Sequence, residues 1–225
     1  MTRTFRYLPL LALPLLCTQF ARGQAGVDIN LGFGSAHDKA NTTIGFDNGS
    51  SPTNAFGPCV PGSGDSFCQG TPALSGFFMG IGGDVMFRKK FGFGANADFK
   101  PARSSYGPFL YRQTFIDFDG VYEPVSTKKV SLKLLGGVGF ARTGLAFNQS
   151  SCLGSVACSS QVVPVATANH FDVHFGAGVQ IYVTEHIFIR PEFDLHYAPG
   201  LDNVFGSNLV PAGMVWVGYN IGHNQ

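Results

Sequence analysis

The stretch Phe171–Val183, FDVHFGAGVQIYV, decides the fold of this chain. Its odd-numbered residues are all apolar, and its even-numbered residues are polar or glycine. Alternation with a period of two is typical of a β-strand whose two faces meet different surroundings. The alternating stretch is longer than an ordinary strand of about 5–6 residues. It is long enough for a tilted strand to cross a bilayer, which takes ~9–11 residues. We therefore expect a strand with one lipid-facing side and one polar side.

Comparable alternation elsewhere in the chain brings the number of predicted strands to eight. These strands are expected at residues 27–35, 74–87, 91–100, 110–122, 130–143, 171–183, 187–197 and 209–221. The connections between them alternate in length. Four long loops, three of them rich in small polar residues and glycine, are expected at residues 36–73, 101–109, 144–169 and 198–208. Three short turns are expected at residues 88–90, 123–129 and 184–186.

This rhythm of long and short connections predicts a membrane barrel. In bacterial outer-membrane barrels the extracellular loops are long and the periplasmic turns are short. Eight strands also allow the sheet to close, so that no unpaired strand edge faces lipid. We predict an all-β protein, an eight-stranded antiparallel up-and-down transmembrane β-barrel in a bacterial outer membrane, with extracellular loops and periplasmic termini. The competing fold is a soluble lipocalin-like ligand carrier, which also has eight strands but has an apolar interior.

The N-terminus is predicted to be a secretory signal peptide covering residues 1–25. Arg3 and Arg6 supply its positive charge, Leu8–Leu16 forms a short apolar core, and cleavage is expected after Ala25. The apolar core is too short for a spanning helix, which needs about 20 residues. Residues 26–225 are then the barrel. Lipidation of Cys17 is an alternative, but a small residue normally precedes a lipidated cysteine and Leu16 stands there.

Composition narrows the classes of function. The formal net charge is only +1, so that nothing favours a nucleic-acid partner. Mean hydropathy is weakly positive, as expected when outward apolar residues alternate with inward polar ones. No stretch after the signal peptide is apolar enough for a transmembrane helix. We expect no cofactor and no metal.

Four cysteines besides Cys17 lie as two pairs in the first and third long loops. Their even number, their close spacing and the export signal favour two disulfides, Cys59–Cys68 and Cys152–Cys158. Four cysteines allow three connectivities, so pairing between the loops stays open. Zinc binding is disfavoured because no histidine lies between the cysteines of either pair.

Two of the predicted strands carry a resemblance to a known family. Residues 189–197 read IRPEFDLHY and residues 134–140 read LLGGVGF. Together they resemble the OmpA-like outer-membrane β-barrel family, eight-stranded barrels of Gram-negative bacteria. The resemblance covers nearly the whole mature chain and implies outer-membrane lipid and the barrel insertion machinery as partners. The chain departs from the family by ending on Gly222–Gln225 instead of an aromatic residue, which weakens the expected insertion signal.

The polar faces of the predicted strands place charged residues inside the barrel. We expect an interior charge network of Asp84, Asp98, Lys133, His174, Arg190, Glu192, Asp194 and His196. Unpaired charges are very costly to bury, so that this network is expected to pair and plug the lumen. An eight-stranded interior is just wide enough to be filled by side chains, although a narrow polar path is an alternative. Pro191 is predicted to mark a bulge or the barrel rim.

The function expected from this architecture is structural or interactive. The barrel would be a monomer whose long loops meet an extracellular ligand or a host surface. Porin-like permeation is the first alternative. A lipid A-modifying enzyme is the second, with His196, Asp194 or Glu192 and Ser207 as its candidate residues. We expect no enzyme, because Ser207 lies in a loop predicted to be flexible and no motif connects it to His196.

Overall fold

The structure is a computed structural model that describes residues 26–41, 45–47, 58–59, 68–106, 109–153 and 157–222. The predicted signal peptide and Cys17 lie outside these ranges. Within them, no helix is long and apolar enough to cross a membrane.

The described residues form twelve β-strands, numbered here in chain order, and eight of them build a closed antiparallel barrel. The barrel strands are β1 (Gly26–Ala36), β5 (Phe77–Arg88), β6 (Phe91–Phe99), β8 (Phe109–Ser126), β9 (Val130–Leu153), β10 (Ala157–Tyr182), β11 (Ile187–Tyr197) and β12 (Leu209–Ile221). Each pairs with the next barrel strand in the chain, and β12 pairs with β1. The ring therefore closes without a free edge, and the predicted eight-stranded barrel is confirmed.

Four short strands lie where the sequence predicted only loops. Three of them, β2 (Gly45–Asp47), β3 (Pro58–Cys59) and β4 (Cys68–Gly70), form a small separate sheet in the first long loop. The fourth, β7 (Ser104–Tyr106), pairs with the loop end of β8. Strands of two or three residues are too short to show a period of two, which is why the pattern missed them.

The two faces of the barrel wall differ sharply in polarity. Apolar side chains point outward and are about half exposed or more, for example Ile29, Phe93 and Phe193. The alternate residues on the same strands are buried in the interior and include most of the charged residues of the wall. A soluble lipocalin-like barrel needs the reverse arrangement, so that alternative is wrong.

The hairpin formed by β9 and β10 corrects the predicted loop at residues 144–169. The two strands pair continuously from Ile181–Val130 up to Ala157–Leu153, with one irregularity between Pro164 and Ala166. The outer part of the hairpin reads NQSSC on β9 and CSSQ on β10. A hairpin that extends beyond the apolar belt has water on both faces, so its residues need not alternate between apolar and polar. The alternation therefore ended before the strands did, and their outer parts were predicted to be a loop.

Two further details of the wall differ from the prediction. β8 continues to Ser126, so that Glu123 is a buried strand residue and the turn is shorter than residues 123–129. Pro191 lies in the middle of β11 with its side chain outward, and the strand register is the same on both sides of it. The predicted bulge or rim position for Pro191 is therefore wrong. Its missing N–H is tolerated because the β10–β11 ladder omits two pairs here, Val179 with Pro191 and Gln180 with Arg190.

Candidate functional site in the barrel interior

Apolar side chains close the barrel at the end where the long loops lie, called here the loop end. Leu201, Val204 and Phe205 of the last loop are buried, and Phe205 packs edge-on against Tyr111 of β8 with ring centroids 5.6 Å apart. They join a core cluster of wall and loop residues: Ala36, Leu74, Phe78, Phe115, Ala141, Leu145, Ala198, Val210, Ala212, Met214 and Trp216. The loop predicted to be flexible is thus docked into the barrel mouth.

A cluster of ion pairs fills the interior nearer the end with the short turns, called here the turn end. Lys133 Nζ lies 2.5 Å from a carboxylate oxygen of Asp28 and 2.5 Å from one of Asp84. Arg190 contacts Asp84 at 3.2 Å and Glu192 at 2.9 Å. Both cations are buried, and each faces two carboxylates, so this half of the lumen holds a compact salt-bridge network.

Neutral side chains complete this ion-pair cluster. Asn220 Nδ2 donates to Asp28 Oδ1 at 2.5 Å, and Gln180 Nε2 donates to Asp28 Oδ2 at 3.2 Å. The Arg190 guanidinium also lies over the Trp216 ring, 5.8 Å from its centroid. These contacts hold the charged groups in fixed positions, as a buried ionic network requires if it is to be stable.

A pair of stacked histidines lies between the ion-pair cluster and the apolar cap. The His174 and His196 rings are 4.8 Å apart between centroids and nearly parallel. His174 Nδ1 lies 2.8 Å from Asp119 Oδ1, and its Nε2 lies 3.2 Å from Asp194 Oδ1. The Phe115 ring stacks on the other face of His196 at 4.2 Å. The pair therefore links the polar and the apolar layers of the interior.

His196 is surrounded by two further carboxylates. Its Nδ1 lies 2.8 Å from Asp172 Oδ2 and 3.8 Å from Asp117 Oδ2. All three residues are buried. Both carboxylate oxygens of Asp117 and Oδ1 of Asp172 are buried without a hydrogen-bond partner. Since buried polar atoms are nearly always satisfied in proteins, this corner of the lumen needs an explanation.

Glycines on neighbouring strands make room for the interior carboxylates. Asp119 and His174 both pair with Gly137, and Asp119 Oδ1 lies 2.6 Å from the place where a Cβ on Gly137 would be. The same relation links Asp194 with Gly176, at 2.6 Å. Gly137 and Gly139 of β9 are therefore required by packing, because a side chain at either position would collide with an aspartate of the neighbouring strand.

Negative charge exceeds positive charge inside the wall. Nine buried acids belong to the barrel strands: Asp28, Asp84, Asp98, Asp117, Asp119, Glu123, Asp172, Glu192 and Asp194. The buried permanent cations of these strands are Lys133 and Arg190, and His174 and His196 add at most two charges. Ion pairs within the described protein therefore leave several carboxylates without a compensating charge.

The structure places all eight residues of the predicted interior network on the buried face of the wall. Lys133 and Arg190 were expected to pair with carboxylates, but the division into two groups was not predicted. Asp84, Lys133, Arg190 and Glu192 form one cluster, and the two histidines organise another. The prediction omitted five buried acids of the barrel wall: Asp28, Asp117, Asp119, Glu123 and Asp172. The sequence alone could have identified three of them. Asp172 lies on the polar face of FDVHFGAGVQIYV, and Asp117 and Asp119 alternate with apolar residues in IDFDG at residues 116–120.

The residues considered for an enzyme have other partners. His196 contacts Asp172, while Asp194 contacts His174 and Glu192 contacts Arg190. In the last loop, Ser207 Oγ accepts the Leu209 N–H at 2.9 Å, and the Ser207 N–H donates to Asp38 at 3.2 Å. Each candidate thus has a structural contact of its own.

The cysteine pairs are described only through their backbones. Cys152 on β9 and Cys158 on β10 are opposite each other in the ladder of the long hairpin. Cys59 and Cys68 lie on β3 and β4, which flank β2 in the small sheet. Both disulfides stay predictions.

On the outside of the barrel wall near the loop end, three arginines line an open cavity of about 410 Å³. Arg112 and Arg142 lie on the adjacent strands β8 and β9, two residues out of register, and Arg103 comes from the preceding loop. The residues lining the cavity include no acid. On β8 the next outward residue after Arg112 is Thr114, and the apolar outer surface begins with Ile116.

Comparison with known proteins agrees with this architecture. The family model for the outer membrane protein β-barrel domain matches residues 8–204. The chain belongs to this family. Family and fold together indicate the bacterial outer membrane, and the resemblance to OmpA-like eight-stranded barrels is confirmed. No curated protein sequence matches the chain.

Solved outer-membrane barrels share the fold at low sequence identity. Ail, the attachment invasion locus protein of Yersinia pestis, solved with the heparin analogue sucrose octasulfate, is 11% identical with a TM-score of 0.50, covering 88% of this chain and 99% of that one. The N-terminal barrel of Pseudomonas aeruginosa OprF is 14% identical with a TM-score of 0.44, covering 88% and 98%. Identities this low show likeness of fold alone.

Proposed function

We propose that this protein is a plugged outer-membrane scaffold that presents its long loops outside the cell for interaction with a surface or a ligand. The observation that carries the proposal is the hairpin of β9 and β10. Leu145 belongs to the cap of the barrel, and β9 continues from there to Leu153. The eight further residues of this strand, at ~3.3 Å each, have a length of about 26 Å along the strand. A paired hairpin of this length is an arm that projects from the wall, which suits contact with another surface.

The contents of the barrel support a scaffold more than a pore. The ion-pair cluster around Lys133 and Arg190 fills one half of the lumen, and the apolar cap with Phe205 and Trp216 fills the loop end. An eight-stranded barrel has little room left once such side chains occupy it. We therefore expect no discrete conductance steps when the purified barrel is inserted into planar bilayers. Regular steps would favour narrow permeation instead.

The orientation and the processing of the chain belong to the same proposal. Residues 1–25 would be removed on export, the termini would lie in the periplasm, and the monomer would enter the membrane through the barrel insertion machinery. In the oxidising space outside the inner membrane, Cys152 and Cys158 would form a disulfide that holds the hairpin together. We propose no catalytic role, and the separate contacts of Ser207 and His196 support this.

The arginine cavity supports a second contact, with anionic lipid of the surrounding membrane. Arg112 and Arg142 point outward immediately beyond the apolar belt, where lipid headgroups meet the wall of a membrane barrel. A guanidinium binds phosphate oxygens in a bidentate manner. Replacing both arginines with glutamine should lower the amount of phosphorylated lipid that co-purifies with the barrel, as measured by mass spectrometry. The turn-end pair Lys128→Gln and Lys129→Gln is the matched control.

The interaction role is tested by shortening the hairpin without disturbing the barrel. Phe147 and Val163 are opposite each other in the ladder. Replacing residues 149–162 with one glycine leaves Asn148-Gly between them, a favoured two-residue hairpin turn. Cells that display the shortened protein should lose adhesion to coated surfaces while the barrel folds in normal amounts. Unchanged adhesion would show that the hairpin is not the contact.

A further inference from the structure

We infer that the interior of the barrel holds one divalent transition-metal ion between Asp117, Asp172 and His196. Each of the three residues offers a ligand atom, and these atoms lie within 4.8 Å of one another. They come from three strands, β8, β10 and β11, so that the closed barrel itself brings them together. Two carboxylates and one imidazole are a donor set that zinc accepts in proteins.

The unpartnered carboxylate of Asp117 is the observation that points to a ligand. This side chain is 1% exposed, and neither of its oxygens has a hydrogen-bond partner among the described residues. Asp172 Oδ1 is also buried without a hydrogen-bond partner among the described residues. An ionised carboxylate that is buried without a partner is strongly unfavourable, whereas a coordinated one is stabilised.

The surrounding charges favour a cation at this place. Four carboxylates contact the histidine pair directly: Asp117, Asp119, Asp172 and Asp194. Even two protonated imidazoles leave two negative charges over, and stacked rings 4.8 Å apart would repel each other if both were charged. With His196 neutral as a ligand, a protonated His174 and one divalent cation together lower the excess from four negative charges to one.

The strand between the two aspartates allows their carboxylates to approach each other. Gly139 pairs with Asp117 on one side and with Asp172 on the other. Because Gly139 has no side chain, the Asp117 carboxylate can lie against this strand, with its Oδ1 close to the place where a Cβ would be. Metal–ligand bonds of ~2.0–2.2 Å place neighbouring ligand atoms about 3.3 Å apart, so that rotation of the side chains by about an ångström completes the site.

Access to this site is limited, and this determines how it is tested. The apolar cap closes the loop end, and the ion-pair cluster around Lys133 fills the turn end. The metal should therefore enter during folding and leave slowly afterwards. The mature chain should be refolded into detergent with Zn²⁺ present, dialysed, and analysed for metal and protein content by mass spectrometry.

Matched variants separate a specific site from general attraction to acids. We expect about one zinc per barrel in the unmodified protein and at least ~10-fold weaker retention in Asp117→Asn, which removes a ligand but keeps the shape. Asp98→Asn is the control, because Asp98 is also buried with an unpartnered oxygen but makes no ion contact with the histidines. It should keep its zinc.

Three results would overturn the inference. The first is a folded, unmodified barrel without stoichiometric zinc, in which case protons neutralise the acids. The second is equal loss of zinc from Asp98→Asn and Asp117→Asn. The third applies if the variants do not fold. The unmodified protein refolded with Co²⁺ should then show the visible absorption of a cobalt ion with a nitrogen ligand. Absence of this absorption would contradict the site.

Discussion

Asp117 on β8 and Gly139 on β9 lie directly opposite each other, and the Asp117 carboxylate occupies the space that a side chain on Gly139 would need. Asp172 approaches the same glycine from β10. The glycine-rich strand and the acid-rich interior are therefore two parts of one arrangement. At these positions the charged groups fit into the narrow barrel because the neighbouring strand has no side chain.

Replacing Gly139 with alanine should destabilise the barrel. The new methyl group would overlap Asp117, and overpacking of this kind costs about 1–3 kcal/mol. Gly213→Ala is the control, because nothing lies within 4 Å of a Cβ at Gly213. Urea unfolding in lipid vesicles should show a lower free energy of unfolding for the first variant and an unchanged or higher value for the second. Equal effects would contradict the packing argument.

Replacing Lys133 with methionine should be among the most damaging single changes in the wall. It leaves Asp28 without an ion-pair partner among the described residues, and breaking a buried ion pair on one side costs about 3–5 kcal/mol. Lys129→Met, in an exposed turn, should change the free energy of unfolding by less than about 0.5 kcal/mol. The comparison uses the same unfolding assay. An unchanged free energy of unfolding in Lys133→Met would mean that the ion-pair cluster does not determine stability.

Docking of the last loop should weaken as the pH rises. Burial raises the pKa of Asp38 to about 6, and the Asp38 carboxylate accepts the Ser207 N–H at 3.2 Å. A carboxyl group with a raised pKa binds its proton more tightly in the docked state than in the open state. Docking is therefore favoured most below about pH 4 and loses that contribution as the pH rises through about 6.

Hydrogen exchange measures this loop docking. After correction for the intrinsic rate, protection of residues 198–208 should be higher at pH 5 than at pH 7.5. Asp38→Asn should remove the difference, and Asp202→Asn, in the same loop, should keep it. Equal protection at both values of pH in the unmodified protein would exclude Asp38 as the responsible group.

The third long loop should be held by a disulfide between Cys152 and Cys158. Residues directly opposite each other in an antiparallel ladder have Cα atoms about 4.5–5.5 Å apart, within the range that a disulfide spans. Peptide mapping without reductant should recover these two cysteines in one linked fragment. Linkage of either to Cys59 or Cys68 would show that the two loops are cross-connected instead.

The sequence predicted the barrel wall better than its surroundings. The strands at residues 187–197 and 209–221 have the predicted ends, because their alternation stops where lipid stops. The outer half of the β9–β10 hairpin was not predicted, since water surrounds both of its faces and its residues do not alternate. A period of two also shows which residues point inward but carries no information on which of them meet across the lumen. The contact of Asp117 with His196 therefore became visible only in the closed ring.

The central claim is that the β9–β10 hairpin is an arm on the outside of the cell. A short epitope inserted between Leu153 and Ala157 tests it most directly, with antibody binding measured on intact cells and on cells with a permeabilised outer membrane. We predict full binding to intact cells, with no increase on permeabilisation. Binding that requires permeabilisation would place the long loops in the periplasm and contradict the account.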